Sequence, residues 1–391
     1  MATRIDWVGA NTRLLRQIAA EFRETQPFAG ITIGTGIHLE PKTVALLMTL
    51  KDGGAKVVAT GNLNSTQADA VAYLRECGIT VIGEATRDPE RHQGFLREVL
   101  ASQPDILLDN GGDLFDLWRQ SPTGNLIGGT EETTSGRARL EPLRSSLKLP
   151  ILVINDSPIK QFAENEHAVG QSVLESYMRI TNRVTNGQRV TVFGYGACGR
   201  GVALNFKGAH AKVSVVDRDP LKRLQAHLDG YDTPSRDEAI ASADLIVTVT
   251  GGGRILGDED MPLLKDKVIL ANAGHFPTEI DNTAITGSSE VVSTDVFSDG
   301  IASLTLRDGR VIHILAEGHM VNLAGARPLG NSIESMDLGF ALQARCLEAV
   351  ALRRVDASSC VVPVPRDINE RVANAYLDLC YPNANPASSP A

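Results

Sequence analysis

Residues 189–217 carry a spacing that suits a dinucleotide. Gly194-Tyr195-Gly196-Ala197-Cys198-Gly199 reads G-x-G-x-x-G, and the β-branched run RVTVF ends against its first glycine. A helical pattern follows, then a second β-branched run that closes on Asp217. Each part has a physical task. Gly194 permits the tight turn, and Gly196 lets the backbone approach a pyrophosphate at the helix N-terminus. Ala197 and Cys198 open that helix, and Gly199 allows close helix–strand packing. A carboxylate at Asp217 suits ribose hydroxyls and disfavours a 2′-phosphate, which points to NAD over NADP; Arg218 beside it tempers that preference. Further on, Thr248-Val249-Thr250-Gly251-Gly252-Gly253 closes another strand pattern. Thr250 and its neighbours read equally well as a lining of the same crevice or as a plain turn.

Strands must present such groups, and the chain alternates strand and helix patterns almost throughout. In the first half, β-branched runs fall at 29–34, 56–60, 79–83, 105–108 and 151–154. Helical spacing fills the gaps between them, with glycines where C-caps belong. A longer helical stretch at 165–186 leads to runs at 189–194, 212–217, 244–250, 267–271, 290–294 and 311–315. Alternation of this kind predicts an α/β protein with two parallel-sheet domains. A chain of 391 residues is also long for one core. The last residues are rich in Pro, Asn, Ser and Ala and read as a disordered tail over 376–391.

Composition narrows the partners. The formal net charge is -9, so a nucleic-acid backbone would be repelled. No apolar run approaches the roughly 20 residues that span a bilayer. The first residues lack the apolar core of a signal peptide. The five cysteines form no CxxC, which points to free thiols in a reducing cytoplasm and to no metal site.

Beyond the dinucleotide motif, five segments occur in one order. They are Asp109-Asn110-Gly111-Gly112-Asp113, Glu131-Glu132-Thr133-Thr134-Ser135-Gly136, Asn155-Asp156-Ser157-Pro158-Ile159-Lys160, Asn272-Ala273-Gly274-His275-Phe276 and Leu315-Ala316-Glu317-Gly318-His319-Met320-Val321-Asn322-Leu323. Together they resemble the S-adenosyl-L-homocysteine hydrolase family, from about residue 28 to residue 350. The resemblance implies a Rossmann NAD-binding domain over 170–327. That domain would be inserted in an α/β substrate-binding domain made of 1–160 and completed by 328–375. It also implies a homotetramer and a small nucleoside as substrate. In the family, NAD oxidises the ribose 3′-hydroxyl, which acidifies the 4′ proton. The 5′ substituent leaves by elimination, water adds, and the ketone is reduced again, so the protein's work is positioning and acid–base chemistry.

The resemblance also assigns residues. Lys160, Glu164 and Asn165 match the family's Lys, Asp and Asn at the 3′-hydroxyl, with Glu164 keeping the carboxylate on a longer arm. Spacing alone would make Lys160 and Glu164 a surface i,i+4 pair. Glu132 matches a ribose ligand. Thr133, Thr134 and Ser135 match hydroxyls on the nicotinamide side, although the same residues read as a capped turn. Asn322 matches a residue near the carboxamide, and Met336 matches a substrate contact. His38 and His275, each just beyond a strand pattern, match active-site histidines.

Several positions depart from the family. Its second Asp of Asp-Asp-Gly-Gly-Asp, an acid–base group, is Asn110 here, and an amide exchanges no proton in this pH range. A different base is then needed, with Asp109, Glu40 and His38 as candidates. The family's Thr and Glu toward the adenine edge are Glu40 and Lys42, which swaps an acceptor for a donor. Its Gly-His near the adenine is Gly330-Asn331, and its C-terminal Lys and Tyr are missing. The oxidising residues stay while base recognition and acid–base chemistry change. That pattern favours a nucleoside dehydratase (a lyase) that expels water from a hydroxymethyl group to give an exocyclic enol ether, as in antibiotics of the angustmycin type. The alternatives are an ordinary S-adenosyl-L-homocysteine hydrolase, a non-catalytic NAD-binding regulator, and a dehydrogenase that releases NADH.

Overall fold

The computed structural model describes residues 3–122 and 124–382. The chain forms two units, Met1–Gln161 with Ile333–Ala391, and Phe162–Ser332. After helices Arg4–Asn11 and Arg13–Thr25, the first unit holds strands β1 (Thr32–Ile37), β2 (Lys56–Gly61), β3 (Thr80–Ile82), β4 (Ile106–Asp109), β5 (Gly128–Glu131) and β6 (Ile151–Val153). The second holds β7 (Arg189–Phe193), β8 (Lys212–Val216), β9 (Leu245–Thr248), β10 (Ile269–Asn272), β11 (Val291–Phe297), β12 (Ile301–Leu306) and β13 (Val311–Leu315). A short last strand, β14 (Val362–Pro363), returns to pair with β6 and belongs to the first sheet.

The first sheet has seven parallel strands in the order β14-β6-β5-β4-β1-β2-β3. Its central strands β4 and β5 are buried along their whole length, as expected where helices cover both faces. Helix Ile333–Ala351 packs on β4 and β5, with Phe340, Ala341, Leu342 and Ala344 fully or almost fully buried. Its Asp337 accepts from the Leu14 and Leu15 amides at 2.7 and 2.9 Å. A carboxylate from distant sequence therefore caps helix Arg13–Thr25, whose own N-cap residue Thr12 makes no side-chain cap. Burial pushes Asp337 up to about 6.

The second sheet runs β11-β12-β13-β10-β9-β7-β8. It is parallel from β13 through β8, and β11 and β12 join antiparallel. One core of this unit gathers Val190, Val192, Val202, Phe206, Val215 and Val247 between sheet and helices. The α/β class and the Rossmann unit are as expected from the sequence. The expected helix 165–186 is a π-helical segment, Lys160–Ala168, followed by helix Val169–Thr181. Residues 376–380, expected in a disordered tail, continue helix Arg366–Cys380, whose Ile368 and Val372 are buried. Residues 328–332, expected in the substrate domain, belong to the second unit. The rest of that tail, 383–391, lies outside the described residues.

Candidate functional site

In each sheet the strand order reverses at one place, and in open α/β sheets ligands bind at the carboxyl ends beside such a reversal. In the first unit the reversal lies between β1 and β4. His38 follows β1, and Asp109-Asn110 closes β4. Asn110 is buried and tied on both sides of its amide. Asn62 Nδ2 donates to its Oδ1 at 2.9 Å, and its own Nδ2 donates to Glu132 Oε2 at 2.8 Å. Lys160 Nζ lies 3.6 Å from the other oxygen, Glu132 Oε1, with both side chains buried. A chain of side chains thus runs Asn62–Asn110–Glu132–Lys160 from the ends of β2, β4 and β5 to the start of the segment Lys160–Ala168. The burial of Lys160 excludes the surface i,i+4 pair that spacing alone allowed.

His38 Nδ1 lies against Ser65 Oγ at 2.5 Å, a contact that orients the ring. Glu40 and Lys42 form an ion pair of 2.8 Å at the start of helix Pro41–Asp52, and both are buried. Asp109 serves the backbone, with Asn110 N and Phe115 N donating to its two oxygens at 2.9 and 3.0 Å. Burial pushes its carboxyl up to about 7. Glu131 is also wholly buried, and burial followed by the Asp109 charge holds its carboxyl well above the usual range. Thr133 caps helix Thr134–Leu140, accepting from Gly136 N at 2.9 Å, and its hydroxyl contacts Ser135 Oγ. Thr134 Oγ1 donates to Asn155 Oδ1 at 3.0 Å. The capped turn is therefore present at 133–135. Met336 is buried in helix Ile333–Ala351.

In the second unit the reversal lies between β7 and β9, whose carboxyl ends carry Gly194 and Thr248. Gly194 has φ +102°, and a Cβ at Gly199 would stand 1.9 Å from Gly194 O, so the turn and helix Ala197–Gly208 are in contact there. A Cβ at Gly196 would meet only open space. That glycine opens the helix N-terminus to a ligand. Asp217, just past β8, accepts from Tyr195 N at 2.7 Å and Asp219 N at 2.9 Å. Asn322 is buried, with Nδ2 donating to Ser172 Oγ at 2.9 Å and Oδ1 buried without a partner among the described residues. An open glycine at a helix N-terminus, a placed Asp217 and an amide oxygen awaiting a donor fit NAD.

Glu164 is buried, and Asn165 follows it in the π-helical segment. Asn331 accepts from Ser172 Oγ at 3.2 Å, so Ser172 links Asn331 and Asn322. Thr250 N and Gly251 N donate to the buried Glu279 at 2.9 and 2.8 Å, which fixes the turn after β9. His275 follows β10 and packs edge-on against Phe276. Sequence reasoning missed Asn62, Ser65, Ser172 and Glu279. Asn62 and Ser65 follow β2, so the strand-end argument used for His38 could have found them.

Comparison with known proteins agrees with this geometry. The family model "S-adenosyl-L-homocysteine hydrolase" matches residues 4–125, and its "NAD binding domain" matches residues 165–328. The chain is 40% identical over 383 residues to an adenosylhomocysteinase of Thermotoga maritima, covering 96% of this chain and 93% of that protein. It is 38% identical over 381 residues to an S-inosyl-L-homocysteine hydrolase of Methanothermobacter thermautotrophicus, covering 96% and 90%. A solved D-3-phosphoglycerate dehydrogenase-like oxidoreductase of Ralstonia solanacearum shares the fold, with TM-score 0.52 and 13% identity over 87% of this chain and 98% of that one. The cofactor of the second unit is NAD, and the chain belongs to the S-adenosyl-L-homocysteine hydrolase family.

Proposed function

We propose that this chain oxidises a hydroxyl of a purine nucleoside, eliminates the neighbouring 5′-type substituent and restores the hydroxyl. The observation that carries this reading is the buried Lys160–Glu132 pair, joined to Asn110 at the strand ends of the first unit. NAD, when bound, supplies a reversible two-electron acceptor for the hydroxyl. Gly194, Gly196, Ala197, Cys198, Gly199 and Asp217 would hold its pyrophosphate and ribose. Thr133, Thr134, Ser135, Asn165, Thr250 and Asn322 would hold its nicotinamide side. Lys160 would exchange the hydroxyl proton, with Glu132 orienting the ribose and Glu164 assisting.

Elimination needs a base, and three were open. Asp109 has both oxygens on backbone amides, and Glu40 is tied to Lys42. His38, oriented through Nδ1 by Ser65, is the remaining group, with His275 as the second histidine of the reaction. The Glu40–Lys42 pair sets an acceptor beside a donor. It can meet the N6 donor and N1 acceptor of a 6-aminopurine, or the N1 donor and O6 acceptor of a 6-oxopurine. Met336 and Asn331 complete this base reading.

The leaving group has two readings. The names of the relatives favour homocysteine, released by hydrolysis of an S-adenosyl or S-inosyl thioether. One observation favours water instead. Asn110 places a non-titrating amide, fixed by Asn62 and Glu132, where the family has an acid–base carboxylate. A nucleoside dehydratase would lose the ring proton and the hydroxyl of a hydroxymethyl group as one water. The test incubates NAD-loaded protein with S-adenosylhomocysteine, S-inosylhomocysteine and a hydroxymethyl nucleoside such as psicofuranine, with products read by mass. Homocysteine release establishes the hydrolase and shows which base is read. Loss of one water from the nucleoside alone establishes the dehydratase. Stoichiometric NADH release would refute both.

A further inference from the structure

The carboxyl of Glu131 is held unevenly. It ends β5 in register with Asp109 at the end of β4, and its side chain has no access to solvent. Oε1 accepts from Gly111 N at 3.1 Å, Thr133 N at 2.7 Å and Thr133 Oγ1 at 2.7 Å. Oε2 is buried with no partner among the described residues, and no Lys, Arg or His there forms an ion pair with Glu131. Helix Thr134–Leu140 closes over the group, since a Cβ at Gly136 would stand 2.1 Å from Glu131 Cδ. The two guanidiniums on that helix are engaged elsewhere, Arg139 by Asp113 and Arg137 by Asp156.

An ionised carboxylate spreads its charge over two oxygens and needs donors on both. Burying a charged oxygen without donor or cation is among the costlier arrangements in a protein. A protonated carboxyl fits the same geometry. Its carbonyl oxygen takes the amides and the hydroxyl, and its O–H is the less costly group to leave buried without a partner. We propose that Glu131 is a positioning residue that acts as the neutral acid, with one oxygen pinning the loops that carry Asn110, Glu132 and Thr133. The proposal deepens the reading of the site given above and rests on it for its effect on turnover. The charged groups facing Glu131 agree with it. Asp109 on the neighbouring strand is anionic when ionised, and Asp113 spends the charge of Arg139. Deprotonating Glu131 would put a second negative charge beside the first and loosen the loops under the site.

The test compares E131Q, E131A and wild type. Glutamine keeps the accepting oxygen, carries no charge and cannot ionise. E131Q is expected to turn over substrate within about threefold of wild type at pH 7, because the three bonds to Oε1 survive. The alkaline fall in wild-type kcat/KM should move upward by about one pH unit or more, or vanish, in E131Q. E131A, which loses all three bonds, should fall by roughly tenfold or more. Turnover in E131Q as low as in E131A, or an unshifted alkaline limb, overturns the proposal. Melting without substrate separates this from a failure of the functional reading. A carboxyl whose folded pKa is raised costs stability as pH climbs from its unfolded value through its folded one. Wild type should therefore lose melting temperature relative to E131Q as pH climbs above about 4.5, whatever the substrate proves to be. Parallel melting curves overturn the proposal, and they decide it even where E131A does not fold.

Discussion

Restoring a carboxylate at residue 110 tests the side-chain chain directly. In N110D the donor that Asn110 gives Glu132 at 2.8 Å becomes an acceptor oxygen. Two unit charges roughly 3 Å apart repel by about 5–6 kcal/mol at an effective dielectric near 20. Lys160, 3.6 Å from the other Glu132 oxygen, offsets part of this, and Asn62 still donates to residue 110. A net cost of about 2–3 kcal/mol remains at alkaline pH, the scale of a buried charge left with a wrong partner. The pair relieves that cost by sharing a proton, so its apparent carboxyl pKa rises on folding. The sign follows. The stability gap between N110D and wild type should be small near pH 5, where the shared proton is bound, and should widen toward pH 8.5 as it is lost. Urea melts across that range measure it. A gap constant within about 0.5 kcal/mol from pH 5 to 8.5 would refute the idea that Asn110 is there partly as a donor to Glu132. Activity separates the two leaving groups in the same variant, because N110D should raise homocysteine release from a hydrolase and weaken water loss in a dehydratase.

K160M removes the cation from the buried Glu132. It should cost about 3–5 kcal/mol in chemical melts and abolish turnover, whereas a loss below about 1 kcal/mol would mean that the pair is solvated. G199A puts a methyl 1.9 Å from Gly194 O. NAD affinity, read by fluorescence titration, should fall at least about tenfold, and an unchanged affinity would show that the turn is not the pyrophosphate seat. D337N keeps one acceptor for the Leu14 and Leu15 amides but cannot ionise. Because burial raises Asp337 to about 6, wild type loses stability as pH rises from about 4 through 6. The deficit of D337N against wild type should therefore be larger at pH 4 than at pH 7, and thermal melts showing the opposite trend would refute the burial argument.

The sheets were legible where strands are β-branched. β2, β7, β8 and β13 fall on the runs that spacing picks out, because β-branched residues suit the pleated surface of a sheet. β5 was not legible. Its residues are Gly-Gly-Thr-Glu, with no β-branched run, and it exists because β4 and β6 pair with it on both sides. The sequence placed β1 three residues early for a similar reason: Gly34 and Gly36 lie inside the strand. The cap supplied by Asp337 was also out of reach, since it joins residues more than 320 positions apart.

At the site, adjacent positions explain what could be read and what could not. Asp109 and Glu131 hold main-chain amides, so their carboxyls are part of the fold, and a change at either would disturb loop geometry. Asn110, one residue along, is held chiefly through side chains, by Asn62 and Glu132. A group held that way can exchange a carboxylate for an amide while the backbone stays in place. Chemistry can therefore diverge at residue 110 and at the Glu40–Lys42 pair with little effect on the sheet beneath. The departure at Asn110 stood out in the sequence because a motif surrounds it. Its partner Asn62 did not, because it comes from the next strand end and no local spacing links the two. Whether that pairing evolved with a new leaving group is a question about the pair rather than about either residue. The double variant N62D/N110D should expose it, since it sets a carboxylate at residue 62 against one at residue 110, which itself faces Glu132, and should cost more than the two single changes added together.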